Sequence, residues 1–183
     1  MTVVALLGGS FDPPHIAHQM ACLVALETAG ADEVWMVPTY RHVFDKRLAP
    51  FDDRVAMCER AVEVFGDRAR VCAIEGELGG DKSRTYDTLV ALGRRHPGRR
   101  FRLVIGSDIL AETDRWHRWE DVERLGDPIV LERPGFPSGR ALPPALPDVS
   151  STEIRDRLRR GRSVDGLVSR RVLECARERG LYG

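Results

Sequence analysis

The chain opens on an apolar run, "TVVALLG" (Thr2 to Gly8), and closes it with a glycine pair, a double proline and two histidines three apart in "GGSFDPPHIAH". A short, β-branched run without polar alternation is the pattern of a strand buried on both faces. Such a strand needs a layer above it and another below. The sequence supplies them by repetition. From His15 to Ala29, Ile16, Met20, Leu23 and Glu27 recur at helical spacing and Gly30 closes the segment. "EVWMVP" then reads as a second buried strand. After an irregular polar stretch comes a helix with Val55, Cys58, Val62 and Phe65 on one face. "RVCAIE" reads as a third strand, "TYDTLVALGRRH" as a helix, and "FRLVIG" and "PIVLER" as the fourth and fifth strands. This alternation predicts an α/β fold: a Rossmann-like, doubly wound parallel sheet of about five strands with helices on both faces. A Pro/Gly-rich connector, "RPGFPSGRALPPALPD", leads to a C-terminal helical segment made of "SSTEIRDRLRRG" and a helix over Leu167 to Arg179.

The length of 183 residues suits one domain spanning residues 1–183, with no repeat and no linker. Basic and acidic side chains number 28 each, so no global field draws the chain toward nucleic acid or a membrane. The cysteines, Cys22, Cys58, Cys72 and Cys175, are scattered without a C-x-x-C pair, as free thiols in a reducing compartment are. No apolar run approaches a membrane span, and "MTVVALLGG" carries no basic leader region. The expectation is a cytoplasmic protein, and a homo-oligomer is compatible with it.

In an open α/β sheet, ligands bind beyond the carboxyl ends of the strands, where "GGSFDPPHIAH" lies. Gly8 and Gly9 let a ligand approach the backbone, and His15 and His18 fall on the first helical turn, where free N–H groups favour an anion. Neither G-x-x-x-x-G-K-[ST] nor G-x-G-x-x-G is present, and no Cys/His cluster completes a zinc site. Ser150, Ser151 and Thr152 precede a second helix whose Arg155 stands on the face of that end. Two helix N-termini suited to phosphate are what a triphosphate needs.

"GGSFDPPHIAH" resembles the G-x-F-D-P-x-H-x-G-H signature of the nucleotidyltransferase superfamily, and over nearly its whole length the chain is similar to bacterial nicotinate-mononucleotide adenylyltransferases. "VSSTEIRDRL" resembles their I-S-S-T-x-I-R signature, "VIGSDIL" their G-x-D segment, "ERPG" their R-P-G turn, and "ERGLYG" their Gly-Leu-Tyr ending. The resemblance implies adenylyl transfer from ATP to nicotinate mononucleotide, giving the dinucleotide and pyrophosphate, with Mg²⁺ carried on the ATP phosphates. It implies His15, His18, Lys46 and Arg155 as catalytic residues. Gly8, Gly9, Ser10, Phe11, His18, Gly106, Asp108, Ser151, Thr152 and Arg155 would bind ATP, with Asp108 near the ribose. Ser10, Lys46, Thr85, Trp116 and Arg133 would bind the mononucleotide, with Trp116 flanking the pyridine ring. No protein-held metal is implied.

The chain departs from that pattern in places. Ala17 stands where a glycine usually precedes the second histidine, Ser169 where a proline is common, and Thr113 where an aromatic residue is frequent. "RHVFDK" and "SRTYDTL" also differ from the usual wording. These changes gather on the acceptor side and leave nicotinamide mononucleotide open as the acceptor. Phosphopantetheine adenylyltransferases usually carry Thr at the place of His15, and cytidylyltransferases differ in the second signature. A non-catalytic nucleotide sensor on the same fold is a reading of another class, which His15, His18, Lys46 and Arg155 together argue against.

Overall fold

A computed structural model describes residues 1–41, 48–80 and 83–183. The strands β1 (Thr2–Gly9), β2 (Glu33–Pro38), β3 (Ala69–Val71), β4 (Arg99–Gly106) and β5 (Ile129–Leu131) form one parallel sheet. Their order is β3-β2-β1-β4-β5. β1 is central, pairing Leu7 with Met36 on one side and with Val104 on the other. The chain winds outward from β1 to β3, then returns to β4 on β1's opposite edge. Succession reverses between β1 and β4, which opens a crevice at their carboxyl ends.

Both faces of the sheet are covered, as the unbroken apolar runs require. Ala5, Leu7, Val34, Met36, Val104 and Leu131 belong to the core shared with α1 (Ile16–Glu27), α2 (Phe51–Val62), α6 (Ser151–Arg159) and α7 (Arg170–Glu178). Val4, Leu6, Trp35, Val37, Leu103 and Ile105 belong to a second core with α3 (Ile74–Leu78), α4 (Thr85–Arg95) and α5 (Trp119–Gly126). The alternation within one strand, Val4 and Leu6 against Ala5 and Leu7, is the period of two expected of a pleated strand.

The fold class, the five strands and the C-terminal helices are as expected from the sequence, but several boundaries and one buried face differ. "RVCAIE" is a strand only through Val71, and α3 begins at Ile74. Cys72 N–H still reaches the Met36 carbonyl at 2.8 Å. The chain then turns so that Ile74 enters the core and the Glu75 carboxylate accepts from Tyr40 N–H at 3.0 Å. On α2 the buried face is Arg54, Met57, Cys58, Ala61 and Val62, one step from the apolar set, while Phe65 falls in the 3-10 turn beyond. The last helix starts at Arg170 because Ser169 caps it, its Oγ accepting from Val172 N–H. Among the described residues, no helix is long and apolar enough to cross a membrane.

Candidate active site

A cavity of about 1180 Å³ occupies the crevice at the ends of β1, β4 and β5. Gly8, Gly9, Ser10, Phe11, His15 and His18 line it from the β1–α1 turn, and Gly106, Asp108 and Arg133 from the ends of β4 and β5. Thr85 and Trp116 line another wall, and Ser151, Thr152 and Arg155 stand at the start of α6. Lys46 lies outside the described residues.

The glycines differ in their reasons. A Cβ at Gly8 would meet no protein atom within 4 Å and would occupy cavity space instead. One at Gly9 would press on the Phe11 ring at 3.0 Å, and one at Gly106 would strike the Asp108 carboxylate and come within 2.8 Å of Arg133 Cγ. Phe11 has left-handed backbone (φ 49°) and is 1% exposed. Its ring meets His18 edge-on, with centroids 4.8 Å apart, so it supports the histidine more than it offers surface to a ligand.

His15 is the N-cap of α1 and His18 its third residue. The His15 backbone N–H donates to His18 Nδ1 at 3.1 Å, which leaves the His18 proton on Nε2. Burial, the neighbouring His15 and the Arg133 guanidinium hold the His18 imidazole well below the usual histidine range. Burial and Arg133 bring His15 down to about 4. At neutral pH both rings are neutral N–H donors. His15 Nδ1 is buried with no hydrogen-bond partner on the protein. A buried, unpaired ring nitrogen at a helix N-terminus beside Arg133 is a place for an anion's oxygen.

The start of α6 is more engaged than its sequence suggests. Ser150 Oγ accepts from Glu153 N–H as the cap, and Ser151 Oγ donates to the Pro13 carbonyl at 2.9 Å. The Ser151 proton is thus taken by the Pro13 carbonyl, while Ser150 Oγ, an acceptor here, keeps its own proton; α6 also turns its free backbone N–H groups and Arg155 toward the cavity. Arg155 is itself oriented: Nη1 donates to the Asp12 carbonyl at 2.6 Å, and Nη2 to Thr152 Oγ1 at 3.4 Å. The two signatures, far apart in sequence, touch each other directly.

On the other wall Thr85 opens α4, and Trp116 packs edge-on against Trp119 with centroids 5.5 Å apart. Ser107 ties the β4 end to the turn after β5: it accepts from Arg133 N–H at 2.9 Å and donates to the Phe136 carbonyl at 2.6 Å. Ala17 is buried and lines the cavity beside the histidines. Among the described residues, no group of three or more His, Cys, Asp or Glu side chains could hold a metal ion.

Asp12, Arg54, Glu75 and Tyr182 also shape the site. Arg54 is 1% exposed and donates to the Ala49 and Ser10 carbonyls at 2.9 and 2.8 Å. Glu75, pushed up by burial, accepts from Thr88 and Tyr40 and anchors the wall opposite the histidines. An arginine on a helix face and a glutamate after a strand carry no sequence signal of this. Asp12 had one, since it sits inside the first signature.

A doubly wound sheet with a phosphate-suited cavity at the β1/β4 reversal defines a class of nucleotide-handling enzymes. The Cytidylyltransferase-like family model matches residues 6–157. The chain is 50% identical over 180 residues to the probable nicotinate-nucleotide adenylyltransferase of Anaeromyxobacter sp. strain K, covering 98% of this chain and 96% of that one. It is 45% identical to that of Myxococcus xanthus, covering 98% and 94%. Against that of Bacillus pumilus it is 35% identical, covering 100% and 99%. The chain belongs to the cytidylyltransferase-like nucleotidyltransferases and, within them, to the nicotinate-nucleotide adenylyltransferase family. The Plasmodium falciparum nicotinic acid mononucleotide adenylyltransferase complexed with NaAD shares its fold, with a TM-score of 0.79 at 21% identity over 100% of this chain and 98% of that one.

Proposed function

We propose that this chain transfers the adenylyl group of ATP to nicotinate mononucleotide, forming nicotinate adenine dinucleotide and releasing pyrophosphate. The observation that carries the reading is the pair of neutral histidines at the N-terminus of α1, joined through Asp12 and Pro13 to Arg155 and Ser151 at the N-terminus of α6. The two helix ends face one cavity, so positive potential and N–H donors converge on one polyanion.

The 5′-phosphate oxygen of the mononucleotide attacks the α-phosphorus of ATP, and the bond from that phosphorus to the bridging oxygen breaks in line. A phosphate dianion is already nucleophilic, so no side chain need take a proton or form a covalent intermediate. The work left to the protein is positioning and charge stabilisation. His18, with its proton on Nε2, donates to an oxygen that gains charge as the bond breaks. His15 offers Nδ1, and Arg155 and the first N–H groups of α6 hold the departing phosphates. Gly8 keeps the floor open and Asp108 accepts from ribose hydroxyls. Mg²⁺ would come as a companion of the triphosphate rather than of protein side chains, and would supply charge neutralisation there.

On the acceptor side, the α4 N-terminus at Thr85, the Trp116 ring and Arg133 are proposed for the mononucleotide, with Ser10 between the two substrates. Incubation with ATP and Mg²⁺ plus either nicotinate or nicotinamide mononucleotide tests the reading. Dinucleotide is expected at the higher kcat/KM with nicotinate. A preference for nicotinamide would overturn the acceptor, and binding of ATP with no product from either would identify a sensor.

A further inference from the structure

We propose that Tyr182, next to the last residue of the chain, is a positioning residue for the adenylyl site, acting through Asp12. The proposal deepens the adenylyl-transfer reading and rests on it. Tyr182 has left-handed backbone (φ 65°), a conformation that costs an aromatic residue energy and persists only where surrounding contacts hold it. Leu181 N–H bonds back to the Ala176 carbonyl at 2.9 Å, and the turn aims the Tyr182 ring inward. Its hydroxyl donates to Asp12 Oδ1 at 2.6 Å.

Asp12 is 2% exposed, and its described partners include the cavity-lining Arg155. Oδ2 accepts from Ala49 N–H at 3.3 Å and lies 3.7 Å from Arg155 Nη1. The Asp12 carbonyl accepts from the same Arg155 nitrogen. On either side, the Ser10 carbonyl is held by Arg54 and the Pro13 carbonyl by Ser151. The turn between β1 and His15 is thus clamped by α2, by α6 and by the end of the chain. Tyr182 grips the Asp12 carboxylate through a side chain from outside the two signatures, beside the backbone N–H of Ala49 on the other oxygen. A buried carboxylate left short of a donor rotates to find another, and here its neighbours are the Arg155 guanidinium and the turn that carries His15.

Tyr182→Phe keeps the ring and removes only the hydroxyl. The expected result is a kcat about tenfold lower, the scale of a lost hydrogen bond to a charged group, with KM for the mononucleotide within twofold of wild type. Because the effect runs through Asp12, the double variant Tyr182→Phe/Asp12→Asn should be no slower than Asp12→Asn alone. Long-range ¹H–¹⁵N spectra give a readout independent of turnover: His18 should show a single Nε2–H tautomer in the wild type and a mixture in Tyr182→Phe. Thermal unfolding of each variant separates a positioning effect from lost stability. Wild-type kcat together with an unchanged His18 spectrum in Tyr182→Phe would overturn the proposal, as would a loss that adds fully to that of Asp12→Asn. If the wild-type protein makes no dinucleotide, the adenylyl-transfer reading fails, while the imidazole spectra still decide whether Tyr182 positions the histidines.

Discussion

The rings of His15 and His18 lie one over the other, with centroids 3.8 Å apart and planes inclined by 28°. Two imidazolium ions could not share that arrangement in a buried pocket beside Arg133. Burial in this stack pushes both rings toward the neutral form, which makes them oriented donors rather than fixed charges. Their alignment is set by one bond, from the His15 backbone to His18 Nδ1.

His18→Ala should fold and lose about 10²-fold or more in kcat, the scale of a lost transition-state donor. KM for ATP should change much less, because the α6 end and Arg155 remain. Steady-state kinetics check this, and wild-type turnover in the variant would remove His18 from the mechanism.

The histidine pair also sets a pH dependence of stability. His15 titrates near 4 in the folded protein against 6.5 unfolded, so the unfolded chain binds more protons between those values. The stability His15 contributes is complete above pH 6.5 and is lost as pH falls toward 4. Between pH 7 and pH 5 that loss amounts to about 2 kcal/mol. Urea unfolding of the wild type and of His15→Gln at both pH values checks it, and the variant should lose less on acidification. An equal or larger loss in the variant would contradict the assignment.

Gly106→Ala places a methyl group against the Asp108 carboxylate and the Arg133 side chain. Relief requires both to move, at a cost of about 1–3 kcal/mol in folding stability. Since Asp108 and Arg133 both line the cavity, KM should rise for ATP and for the mononucleotide together. Gly93→Ala, in a helix where a Cβ meets nothing within 4 Å, is the control and should leave both constants unchanged.

The strands β1, β2 and β4, the helix after "GGSFDPPHIAH" and the one at "SSTEIRDRL" were legible because each follows from local rules. Apolar runs of strand length, helical spacing and capping residues act over a few neighbours. The third strand was misjudged at its end for the opposite reason. "CAIE" has strand-like composition, yet Ile74 and Glu75 are drawn into a helical turn by a core and by hydrogen-bond donors far away in sequence. The same holds for α2, where a buried arginine replaces an apolar residue on the inward face because the Ser10 and Ala49 carbonyls wait there for a donor.

The sequence by itself determined the doubly wound sheet, the place of the cavity at its carboxyl edge, and the two helix starts that open toward it. Those are consequences of periodicity and of free N–H groups, which a chain carries wherever it goes. Only the tertiary structure decided that Ser151 donates to the Pro13 carbonyl, that burial pushes both histidines toward the neutral form, and that Tyr182 closes on Asp12. Each of those depends on burial and on partners brought from distant parts of the chain. Desolvation and hydrogen-bond satisfaction are properties of an assembled interior, and no local pattern encodes them.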